Sequence, residues 1–213
     1  KNLSSRPAII TAHLTGANSF HFLYLIGFDN IGELSEMEAA ITKINPQSKL
    51  RKYENVNIHE ISNQPKSVFS YTFCKGIFIG SFSPGLVEDA IRQLAGGSSL
   101  LNNTINPGFE IVHFTADKNA DANIYINYKF FPKLLSLIMR GAGARTIKGL
   151  SDFANWTALD LMIRPNALLF NGLTHPNDSS RKYLNLFLEQ KPPKVEITKV
   201  IPDNTLAFYF LGL

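Results

Sequence analysis

Between Phe69 and Leu94 the chain reads as two strands, a tight turn and one capped helix, and this unit restricts the fold more than any other feature. Phe69, Tyr71 and Phe73 alternate with Ser70, Thr72 and Cys74, the period-two pattern of a strand with one buried face. Lys75-Gly76 separates this run from a second one over 77–82, and glycine tolerates the positive φ that a two-residue primed turn requires. Ser83 is placed to cap the helix, with Pro84 at the first helical position, where its missing N–H costs nothing. Leu86, Val87, Ala90, Ile91 and Leu94 then share a helical face that Gly96-Gly97 closes. Packing accounts for nearly every apolar residue in the unit.

The same pattern occurs twice more. Residues 8–14 and 20–28 flank a turn around Gly16 and Asn18, and the capping box Ser35-Glu36-Met37-Glu38 opens a helix that Asn45-Pro46 ends. In the last copy 156–163 is a strand, Arg164-Pro165-Asn166 a turn and 167–173 the return strand. Asp178 or Ser179 then caps a helix with Tyr183, Leu184, Phe187 and Leu188 on one side, stopped by Pro192-Pro193. Between the copies, 49–53, 56–61 and 122–127 read as strands, and 109–115, 132–139 and 147–153 as short helices. The expectation is an α+β fold, with antiparallel sheets built from repeated strand-strand-helix units and helices on one face.

With 213 residues, 45% of them hydrophobic, the chain can bury a core as one domain or as two packed halves of about 1–105 and 106–213. No apolar run approaches the roughly 20 residues of a membrane-spanning helix. A net charge of +4 is spread along the chain and speaks to solubility rather than to a partner. One cysteine, Cys74, excludes an internal disulfide and reads as a core thiol. The Pro-led apolar run from Pro202 to Leu213 ends where another unit would begin, so a fragment of a longer chain is expected.

The hairpin and helix over 71–101, with Gly80-Ser81-Phe82-Ser83 and Gly97-Ser98-Ser99-Leu100, resembles an uncharacterised family of large bacterial extracytoplasmic proteins known from bacteroidete genomes. The stretches 156–172 and 183–191 and the run Ile201-Pro202-Asp203-Asn204-Thr205 resemble its middle region. The resemblance implies a membrane anchor upstream of Lys1 and a domain exposed to the periplasm or the cell surface. It brings no catalytic residue with it.

Each candidate for chemistry has a structural reading beside it. Ser83 sits at a strand-to-helix junction, but Gly80-Ser81-Phe82-Ser83-Pro84-Gly85 is not a nucleophile elbow, and Pro84 lacks the N–H of an oxyanion hole. His13 and His21 fall opposite each other across the first hairpin, half of a zinc site, while His59, His113 and His175 are isolated; no metal or other cofactor is expected. Thr157, Leu159, Leu161 and Ile163 form the more hydrophobic side of their strand, which puts Asp160 on the wetter one. Arg140, Arg145 and Lys148 in the glycine-rich stretch 140–149 are the candidate ligand-binding cations, suited to a phosphate or an acidic lipid head group, but the stretch lacks a Walker ending and reads more simply as a helix–helix connection. Phe20, Phe22, Tyr24, Ile26 and Phe28 make an aromatic stripe without the interleaved Arg or Lys that nucleic acid needs, so it reads as a core face and nucleic acid is not an expected partner.

These readings favour a non-enzymatic interaction or scaffolding domain of the cell envelope, with an envelope protein or lipid as partner. A carrier of an apolar, lipid-like ligand is the alternative, and a hydrolase built on Ser83, Asp160 and the scattered histidines the third.

Overall fold

The computed structural model describes residues 6–64, 67–97, 100–102, 104–139, 147, 149–177 and 201–205. It is an α+β structure with two antiparallel sheets. The chain divides into two compact units, Lys1–Ser99 and Leu100–Leu213.

The first unit runs β1 (Ala8–Gly16), β2 (Ser19–Gly27), α1 (Ile31–Ile44), β3 (Lys49–Tyr53), β4 (Val56–Gln64), β5 (Ser67–Cys74), β6 (Ile77–Ser81) and α2 (Pro84–Gly96). Its six strands lie in the order β1-β2-β6-β5-β4-β3. α1 therefore carries the chain from β2 to the far edge, and a four-stranded meander returns to pair β6 with β2. Lys75 and Gly76 both have positive φ, as a primed turn demands, and Glu54-Asn55 does the same between β3 and β4. α1 opens at Asn30, one turn before the expected box at Ser35, because the Asn30 carboxamide accepts the Glu33 N–H at 2.9 Å.

Residues paired across neighbouring strands point to one face of a sheet. One face of this sheet carries Leu23, Ile58 and Ile79, and α2 lays Leu86, Val87 and Ile91 on it to form the core. Arg51 fastens the helix to the sheet, meeting Glu60 on β4 at 2.9 Å and Glu88 on α2 at 2.7 Å. The buried hydroxyls of Thr72 and Ser81 donate to the carbonyls of Asn57 and Phe22. The opposite face holds the aromatic stripe. Phe20, Phe22, Tyr24, Ile26 and Phe28 are half-buried or exposed while Tyr71 and Phe78 beside them are buried, so this face is only partly a core and the stripe lies on the side away from α2. The side that α2 covers decides this, and alternation within a strand cannot show it.

The second unit comprises α3 (Phe109–Phe114), β7 (Ala122–Asn127), α4 (Phe131–Ile138), a 3-10 turn over Gly149–Asp152, β8 (Trp156–Arg164) and β9 (Ala167–His175). The sheet order is β7-β8-β9, and β8 pairs antiparallel with both neighbours. The turn between β8 and β9 is shorter than expected, two residues rather than three, because Arg164 already pairs with Ala167.

Strand-strand-helix succession is present in β1-β2-α1 and β5-β6-α2, but the two copies pack differently. α2 buries three side chains, whereas no described side chain of α1 is fully buried. The helix expected from Asp178 or Ser179, and the strand-like run after Thr205, lie outside the described residues. A threefold repeat is therefore not established.

Candidate interaction surface

The three-stranded sheet has two unlike faces. One presents Trp156, Ala158, Asp160 and Met162 of β8 beside Asn123, Tyr125 and Asn127 of β7. α3 packs here, with Phe109 edge-on to Trp156 at 4.7 Å and Val112 fully buried. Asp160 is thus not on a wet face: it is only 5% exposed. Its carboxylate accepts the Asp117 N–H at 3.1 Å and the Asn123 amide at 2.7 Å. Those charge-assisted bonds offset the cost of burying it. Tyr125 close by has its phenol pushed up, by burial first and by the Asp160 carboxylate second.

Around Asp160 the run Asp117-Lys118-Asn119-Ala120-Asp121-Ala122-Asn123 folds on itself. Asp117 accepts from the Asn119 backbone and side chain, and Asp121 accepts the Ile163 N–H at 2.7 Å. The alternating Asp and Asn residues are the signal for this network in the sequence. Their oxygens close a loop onto β8, and no group of three or more His, Cys, Asp or Glu that could hold a metal occurs among the described residues.

The other face of the sheet is uncharged, and apolar but for two threonines. Its rungs, from the β8–β9 turn inward, are Ile163 and Leu168; Ala122, Leu161 and Phe170; Ile124, Leu159 and Gly172; then Ile126, Thr157 and Thr174. The last rung is capped, since Thr157 bonds to the Tyr128 and Thr174 hydroxyls at 3.3 and 2.9 Å. Toward the turn the face opens: Ile124 is 38%, Phe170 55%, Ile163 56% and Leu168 62% exposed. No charged residue occupies any of these rungs. Leu159, Leu161 and Ile163 were legible as the hydrophobic side of β8. That this side is the open one depends on α3 choosing the other.

The remaining candidates scatter. Arg140, Arg145 and Lys148 lie outside the described residues. Ser83 is the residue before α2, but its side chain makes no cap bond; instead its N–H donates to the Ser81 hydroxyl at 3.0 Å. His13 and His21 do pair across the hairpin, yet each ring bonds to a threonine, Thr11 and Thr15, at 2.7 Å. Burial pulls the His13 pKa down. His59 stacks on Tyr71 at 5.0 Å, with Glu38 of α1 4.0 Å from its Nε2. The Tyr71 hydroxyl is buried without a hydrogen bond of normal geometry. Burial pushes that phenol up, the neighbouring Ser48 hydroxyl tempers the rise and the Glu38 carboxylate adds to it. Beside them a hollow of about 610 Å³ along α1, lined by Ser35, Glu38, Ala39, Thr42, Lys43 and Pro46, is wide open to solvent.

Comparison with protein-family models, with curated proteins and with solved structures found no match for this chain.

Proposed function

We propose that this chain is a non-enzymatic interaction or scaffolding domain that binds through the open face of the β7-β8-β9 sheet. The observation that carries the reading is the row of uncharged rungs ending in Ile124, Ile163, Leu168 and Phe170, all exposed. A contiguous apolar patch of this kind holds water at a free-energy cost that association removes. An extracytoplasmic setting with an anchor upstream is part of the proposal, and the resemblance of 71–101 and 156–172 is what supports it.

A photo-crosslinking residue placed at Ile163 of the folded chain tests the proposal. A discrete adduct is expected. A folded chain giving no adduct from Ile163, while the same residue at exposed Glu54 behaves identically, would remove the case for a binding face.

A further inference from the structure

The rungs of the open face also say what fits it. Phe170 on β9 and Ala122 on β7 flank Leu161, a large side chain at one edge and a small one at the other. The next rung reverses the order, with Ile124 on β7 and Gly172 on β9 flanking Leu159. A two-fold axis lying between two such faces and parallel to β8 exchanges β7 with β9 while keeping each rung in place. Phe170 of one copy then stands over Ala122 of the other, and Ile124 over Gly172. Both large residues meet small ones, twice over, by symmetry.

Two further properties agree. With side chains of this size carrying on the order of 150–200 Å² each, the exposed fractions and their half-buried neighbours leave roughly 500 Å² of apolar surface per copy. Two faces together would bury about 1,000 Å², short of the roughly 1,200–2,000 Å² of stable interfaces and in the range of a weak, reversible dimer. The rungs hold no charge that a like face would repel, and aligned sheets pack face to face at about 10 Å through side chains of this kind. We propose that the Ala122–Leu161–Phe170 and Ile124–Leu159–Gly172 rungs form an interface between two copies of this chain, related by a two-fold axis along β8. This rests on reading the face as a binding surface, and it names the partner.

Sedimentation of the full chain over a wide concentration range is the test, with oxidative footprinting of Leu168 and Phe170 alongside. A reversible dimer is expected. Ala122→Phe sets two rings against each other and weakens the dimer by about tenfold or more in Kd. Ala122→Phe combined with Phe170→Ala moves the ring to the other edge of the rung and restores it. A dimer indifferent to Ala122→Phe overturns the inference. A monomer at all concentrations with Leu168 and Phe170 readily oxidised overturns it too, but leaves the surface open for a different partner. A monomer with both residues protected removes the inference and the binding surface together.

Discussion

In the six-stranded sheet α2 covers a face centred on Leu23, Ile58 and Ile79, while in the three-stranded sheet α3 covers the face that holds Asp160, Asn123 and Asn127. The first arrangement lays the apolar stripe of α2 on an aliphatic patch, as a helix packed on a sheet ordinarily does. The second departs from it. α3 contributes only Phe109 and Val112 as buried residues, and the carboxylate it helps to bury is held by Asp117 and Asn123. The more hydrophobic side of β8 is thereby left for something other than α3. A core and an interface draw on the same side chains, and the position of the helix separates them.

The sharpest way to break this contrast is through the core of the first sheet. Ile79 is fully buried beneath α2, so Ile79→Ala should cost about 3 kcal/mol. A urea midpoint close to that of the unaltered chain would show that α2 does not secure this face. Asp160→Ala comes next. It leaves the Asp117 N–H and the Asn123 amide without their acceptor and should cost roughly 2 kcal/mol. Asp160→Asn, which keeps one carbonyl oxygen, should recover part of the loss in the same titration. If Asp160→Ala melts like the parent, the face under α3 is wetter than described.

Tyr71→Phe should be neutral or stabilising by up to about 1 kcal/mol, because it removes a buried hydroxyl that lacks a good partner. A melting temperature lowered by several degrees would mean that the Ser48 and Glu38 neighbourhood holds the phenol more firmly than its geometry shows. The smallest effect belongs to the edge hairpin. Because burial lowers the His13 pKa below its usual 6.5, the unfolded chain takes up this proton more readily than the folded one. The contribution of His13 is complete above about pH 6.5 and declines as pH falls through that value toward the folded pKa. His13→Gln should flatten this acid limb in thermal melts recorded from pH 8 to pH 5, and an unchanged limb would assign it to other groups.

Local signals carried much of the fold. The primed turn at Lys75-Gly76 and the bounds of β3 and β7 follow from strand alternation and turn chemistry alone. Competition between adjacent signals hid the start of α1, where Asn30 captures the Glu33 N–H before Ser35 can act. The sidedness of both sheets was hidden for a different reason. Alternation sorts Phe22 from Leu23 and Asp160 from Leu161, but only tertiary packing decides which set a helix covers. The open face was legible in part, through Leu159, Leu161 and Ile163. Its outer columns needed the register of Ile124 and Phe170, which are 46 residues apart in the chain by subtraction of their numbers. The expected cations Arg140, Arg145 and Lys148 lie beyond what is described.

The turn between β3 and β4 places Glu54 and Asn55 at φ of 45° and 65°, where a side chain such as glutamate crowds its own carbonyl. Asparagine tolerates this conformation; glutamate does so poorly. Glycine at position 54 would relieve the crowding without disturbing the Tyr53–Val56 pair that fixes the strand register. The molecule thus keeps unclaimed robustness at an exposed bend of the unit that does not carry the surface proposed to bind.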